Sequence, residues 1–144
     1  MTTVLDTNIV IRHLTQQPTG AGKAASHFLA STEALLLTDV IATEIVQVLG
    51  SVHQTPRETI ARALRALLAM RSITAKHGPI IQRALDLYEF QRMDFTAAYL
   101  VAFAEANGHH QIASFDKGID KAINRVIGKT GAVARIDPAN SAAR

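Results

Sequence analysis

The feature that most constrains the fold is an alternation. Short β-type apolar runs at residues 2–5, 35–38, 73–76, 111–115 and 132–136 are separated by longer stretches with helical periodicity. Strands that pair in parallel need crossover connections, and helices supply them, so the pattern predicts an α/β sandwich on a mostly parallel sheet. Punctuation supports it. Asn8 reads as the N-cap of a helix over 9–14, and an alanine-rich helix follows at 23–31. Asp39 reads as the cap of a helix over 40–52, and Pro56 stands in the first turn of a helix running to about 70. After Gly78-Pro79 come helices at 80–91, from Asp94 as cap to about 107, and at 118–126, with a tail from 137. No repeat, linker or low-complexity stretch divides the chain, which predicts one domain over residues 1–137 and a flexible tail over 138–144.

With 144 residues, 48% of them hydrophobic and only 5% aromatic, the chain can bury a core, and Ala, Leu, Ile and Val must fill it. The absence of cysteine excludes thiol catalysis, thiolate metal ligands and disulfides. The N-terminus lacks the basic region and apolar core of a signal peptide, and no apolar run approaches membrane-spanning length. The expectation is a soluble cytoplasmic protein with no membrane partner. A formal net charge of +3 favours anionic partners.

Ligands of open α/β sheets gather at the carboxyl ends of the strands. Asp6 and Asp116 each follow a strand of the predicted sheet at once, so both are expected at that edge. Glu44 falls in the helical arc of Val40, Ile41, Ile45, Val48 and Val52, where a charge needs a reason. Asp94 combines a capping position with the start of the helix before Asp116. Each carboxylate also has an ordinary reading: a turn or cap residue for Asp6 and Asp94, a rim glutamate for Glu44, loop polarity for Asp116. Asp39 is read as a cap and nothing more. Carboxylates gathered in one pocket repel one another unless cations join them or some are protonated, and hard oxygen ligands select Mg²⁺ or Mn²⁺. Such ions take phosphate oxygens as further ligands, which points to phosphodiester chemistry.

The segments Val4-Leu5-Asp6-Thr7-Asn8, Thr43-Glu44, Asp94-Phe95-Thr96-Ala97-Ala98 and Ser114-Phe115-Asp116-Lys117, in that order, resemble the acidic motifs of PIN domains. The resemblance spans almost the whole chain, with the spacing of short VapC toxins. It implies a three-layer α/β/α fold, Mg²⁺ dependence with Mn²⁺ as substitute, cleavage of RNA, homodimerisation and inhibition by a small antitoxin. It makes Asp6, Glu44, Asp94 and Asp116 the catalytic and metal-binding set, with Asn8 and Ser114 supporting it through hydrogen bonds. Asp120 matches a position that is often acidic, but it reads equally as a partner of Lys117 or Lys121 and is left outside the set.

Lys117, Lys121 and Arg125 recur every four residues after Asp116 and are candidate RNA contacts, as are Arg62 and Arg65 on another helix face. The six histidines have no metal-ligand spacing and receive no chemistry. Three other readings compete. A receiver-type signalling module wants paired acidic residues near the first strand, where Asp6 stands alone, and a buried Lys after a late strand, where Lys117 follows Asp116. A catalytically idle PIN-like module would bind RNA without cutting it. A haloacid-dehalogenase-like phosphatase needs an Asp two residues after the first, where this chain has Asn8.

Overall fold

The computed structural model describes residues 1–126 and 133–142, and the chain falls into two compact units, Met1–Gly78 and Pro79–Arg144. Among the described residues all strand pairing is parallel and helices connect the strands, which is the α/β class that the alternation predicts.

The first unit runs β1 (Thr3–Val4), α1 (Thr7–Thr15), α2 (Thr19–Ser31), β2 (Leu35–Leu36), α3 (Asp39–Ser51), α4 (Arg57–Ala69) and β3 (Ile73–Thr74). Its three strands lie in the order β1-β2-β3, with Thr3 beside Leu35 and Leu35 beside Ile73. The ladders are short, yet Leu5 N–H donates to Leu36 and Leu37 N–H to Thr74, one residue beyond each assigned strand. Leu5, Leu35 and Leu37 are almost wholly buried, each stabilising the unit by about 1.5–3 kcal/mol relative to an exposed side chain. Helix α2 starts four residues earlier than the alanine-rich stretch predicts. It packs on α1 through Gly22, where a Cβ would stand 2.6 Å from the Gln16 Cα, so only glycine permits the approach.

The caps differ from the sequence reading. Asp6, not Asn8, is the N-cap of α1, accepting from the Thr7 N–H at 2.8 Å. Thr38, not Asp39, caps α3, its hydroxyl accepting from the Ile41 N–H. In each case the cap is the earlier of two cap-forming residues, two positions beyond the end of the strand. The buried stripe of α3 is Ala42, Ile45, Val46 and Leu49, whereas Val40 is 75% and Val52 68% exposed. Glu44 is therefore exposed beside the apolar stripe rather than within it.

The second unit runs α5 (Gly78–Phe90), α6 (Phe95–Ala106), β4 (Gln111–Ala113), α7 (Gly118–Val126), β5 (Ala134–Ile136) and α8 (Pro138–Ala142). Strands β4 and β5 pair in parallel, Gln111 beside Ala134. Of the strand predicted at 132–136, Ala132 lies outside the described residues. A short helix, α8, stands where the sequence gives only a tail. Phe95, fully buried, meets Tyr88 edge-on at 5.9 Å and anchors α6 to α5. Gly108, at φ 69°, turns the chain from α6 into β4. Helix and strand joined by so short a turn run antiparallel, so Asp94 at the head of α6 and the loop after β4 face the same end of this unit.

Candidate metal and active site

In the first unit the parallel sheet delivers Asp6 from β1 toward α3, and Thr7 joins the two acids. Thr7 is the buried polar residue of the described core, 7% exposed. Its N–H donates to Asp6 Oδ1, and its hydroxyl donates to Glu44 Oε2 at 2.7 Å. A buried hydroxyl has to find an acceptor, so burial of Thr7 fixes where Glu44 lies. One oxygen of each carboxylate is thereby engaged. The other, Asp6 Oδ2 and Glu44 Oε1, has no protein hydrogen bond among the described residues, and both side chains are exposed. Asn8, expected to support the acids, is exposed in the first turn of α1, and the contact with Glu44 comes from Thr7 instead.

In the second unit Asp94 occupies the N-cap position of α6 but makes no side-chain capping bond. Its carboxylate is exposed and not spent on its own helix. Asp116 is held by its immediate neighbours: the Asp116 N–H donates to Ser114 Oγ at 3.0 Å, and the Gly118 N–H donates to Asp116 Oδ1 at 2.9 Å. Ser114 thus supports the loop of Asp116, through the backbone rather than through the carboxylate.

Behind this loop lies a residue that the sequence does not single out. Arg135, in β5, has a side chain only 9% exposed. Its Nη1 donates to the Ser114 carbonyl at 2.7 Å, and its Nε and Nη2 both donate to Asp120 Oδ2. The hydrogen bond that it donates to Asp120, together with the charges of Asp120, Asp137 and Asp116, holds the Arg135 guanidinium above its ordinary pKa against the opposing effect of burial. Asp120 is therefore the partner of Arg135, not of Lys117 or Lys121. The cation and the loop reach each other only through the β4–β5 pairing, which no local motif announces. Lys117 and Lys121 are exposed, consistent with a solvated face, and the Arg125 side chain lies outside the described residues.

Asp6 and Glu44 are hard oxygen donors tied to one threonine, each with a free oxygen, and this fits a Mg²⁺-type ion, which is commonly bound by one or two carboxylates plus water and substrate phosphate. Among the described residues no group of three or more His, Cys, Asp or Glu is gathered as a metal cluster. The fit rests on the pair. One cavity of about 490 Å³, lined by residues such as Thr32 and Ser72, lies at the amino ends of β2 and β3, opposite the carboxyl edge at which open sheets gather their ligands. Among the described residues no helix is long and apolar enough to cross a membrane.

The model of the PIN domain family matches residues 3–124. No curated protein and no solved structure matches the chain. PIN domains are typically nucleases that use divalent metals and bind RNA. With the match covering all four acidic motifs and well over half of its length, the chain belongs to the PIN domain family.

Proposed function

We propose that this protein is a Mg²⁺-dependent endoribonuclease, with Mn²⁺ as substitute, and the toxin of a VapBC-type toxin-antitoxin pair. The observation that carries the reading is the Asp6–Thr7–Glu44 arrangement, in which a buried threonine holds two carboxylates of different elements and leaves one oxygen of each unused. That is how metal ligands are oriented, and it is more than a helix cap requires.

In this reading Asp6, Glu44, Asp94 and Asp116 hold the metal directly or through water. A bound divalent ion supplies Lewis acidity, lowering the pKa of water and offsetting charge on phosphate oxygens. The protein's own part is orientation. Thr7 fixes the first two acids, the Ser114 and Gly118 contacts fix Asp116, and Asp94 is free to turn toward its ligand. The unpartnered carboxylate oxygens accept hydrogens of the attacking water, and Lys117, Lys121 and Arg125 contribute sequence-independent phosphate contacts. Attack by water rather than by the ribose 2′-hydroxyl leaves a 5′-phosphate and a 3′-hydroxyl.

The partners follow from the same reading: RNA, a second copy of the chain, and a small antitoxin encoded beside it, with the cytoplasm as the place of action. The test is incubation of the purified protein with structured RNAs, with Mg²⁺, with Mn²⁺ and with EDTA, the cut ends being mapped. Cutting undiminished in EDTA, or cyclic phosphate ends, overturns the mechanism. RNA binding without cutting in either metal makes the protein an idle RNA-binding module. Harmless overexpression in a host that carries the target RNA overturns the toxin assignment alone.

A further inference from the structure

The sheet edge that carries Asp6 carries a second polar group. Asp39 follows β2, His77 follows β3, and His77 Nδ1 stands 2.7 Å from Asp39 Oδ2. An ionised carboxylate only accepts, so Nδ1 is the donor, the tautomer of the neutral ring is fixed, and Nε2 is the ring nitrogen left for a ligand. Sequence spacing gave the histidines no role because these partners are 38 residues apart.

The pair borders a cavity of about 210 Å³, lined also by Leu36, Leu37, Val40 and Lys76. This is below the roughly 300–1,000 Å³ of an ordinary small-molecule pocket and suits one planar ring system rather than a whole cofactor. Val40, in the first turn of α3, is 75% exposed, an apolar side chain that the unit leaves uncovered. Lys76 is exposed beside it. An apolar surface for a ring face, an imidazole at its margin and a cation for the adjoining phosphate are the components with which proteins hold single-stranded nucleic acid. Position agrees. Strands β1, β2 and β3 are adjacent and parallel, so the pair lies one to two strand spacings, roughly 5–10 Å, along the edge from Asp6.

We propose that Asp39, His77, Lys76 and Val40 form a subsite for one nucleotide of the RNA next to the scissile phosphate, with the base against Val40 and the imidazole and its phosphate on Lys76. Asp39 is the positioning residue that orients the ring. The subsite rests on the ribonuclease reading, and its test separates the two.

The first arm needs no activity. The labelled protein is titrated with adenosine, guanosine, cytidine and uridine 5′-monophosphates in metal-free buffer while the His77 ring and the Val40 methyl groups are followed by NMR. Saturable shifts at both are expected, with ribose 5-phosphate leaving Val40 unmoved. Absence of shifts for all four nucleotides, or equal shifts with the sugar phosphate, overturns the subsite. In the second arm, His77→Ala and His77→Gln are each expected to raise KM for RNA about tenfold with kcat within about twofold of the parent, the scale of losing one base contact. The glutamine amide can still donate to Asp39. A KM rise confined to His77→Ala therefore makes the histidine a structural pin and overturns the proposal, as does an unchanged KM in both. A parent protein that cuts no RNA refutes the ribonuclease reading, and the nucleotide titration then decides the subsite alone.

Discussion

The two pairs of acids are held by opposite means. Asp6 and Glu44 meet through Thr7, and the Thr7–Glu44 bond joins residues 37 apart, so this pair exists only once β1 and α3 have packed in the first unit. Asp116 is held by bonds within two residues of itself, and Asp94 makes no capping bond to the helix it heads. One pair is a product of tertiary structure; the other is written into turns, with long-range support reaching Ser114 from β5, through the Arg135 guanidinium and the Ile136 carbonyl. The contrast implies that substitutions around the first pair couple activity to folding, whereas those around the second separate them.

Asp94→Asn should have the largest effect on activity and almost none on the fold. In the proposed reading Asp94 is a metal ligand, loss of its charge removes several kcal/mol of transition-state stabilisation, and cleavage should fall at least about a thousandfold. With no capping bond to lose and one charge fewer in an acidic set, the variant should melt in EDTA at the parental temperature or above, by roughly 2–4 °C if the gain is about 1 kcal/mol. Saturating Mg²⁺ should reverse the order, because the parent binds the ion better and gains more from linkage. Melts of both proteins in EDTA and in Mg²⁺ check this. A variant clearly less stable in EDTA makes Asp94 a structural residue.

Thr7→Val is the corresponding break in the first pair, and here the two readouts should move together. The substitution keeps the shape of a buried side chain and deletes the hydroxyl that positions Glu44. Stability should drop by about 1 kcal/mol, and Mg²⁺ affinity by roughly 10–100-fold, the usual scale for groups that orient a metal ligand. Isothermal titration with Mg²⁺ and a denaturant melt decide it. Parental affinity would mean that Glu44 is not oriented by Thr7.

Arg135→Met and Arg135→Lys probe the exception in the second unit. Methionine preserves bulk but abandons the Ser114 carbonyl and Asp120, and the loop of Asp116 should lose its anchor along with thermal stability. Lysine restores the charge without the planar fork that reaches several acceptors at once, so its rescue should be partial in both melting temperature and kcat. Full rescue by lysine would show that charge alone matters.

What the sequence could reveal follows the same division. Helix α7 lies at 118–126 as predicted, and the turn at Asn107-Gly108 lies where composition puts it, because local propensity decides both. The cap of α3 does not: Thr38 and Asp39 are both cap formers, and while Thr38 caps the helix Asp39 pairs with His77, a residue from the segment after β3. Glu44 is marked by an arc of valines and isoleucines, yet two of those valines are exposed and the reason for its placement is the hydroxyl of Thr7. Arg135 carries no motif at all. Its importance comes from the register that sets β5 beside β4 and brings its guanidinium onto the loop after Ala113. Ordered acidic motifs are legible in a chain, but the groups that aim them are not, since those come from pairings between distant segments.

The smallest predicted effect is the sharpest test of a locally held acid. A Cβ on Gly118 would stand 2.9 Å from Asp116 Oδ1, the oxygen to which the Gly118 N–H donates. What must yield is the end of an exposed side chain, so the carboxylate rotates away at little cost to the fold. Alanine also gains up to about 1 kcal/mol over glycine in a helix, which offsets the roughly 1 kcal/mol of the lost hydrogen bond. Gly118→Ala should therefore melt within about 2 °C of the parent and cut RNA about tenfold more slowly as Asp116 leaves its aim. Gly22→Ala is the control from the other unit. There the clash at 2.6 Å is with the Gln16 backbone, which cannot rotate aside, so stability itself should fall. Unchanged cleavage by Gly118→Ala would mean that the Gly118 contact does not aim Asp116, and the support for that acid would then have to be sought in Ser114 and in Arg135 behind it.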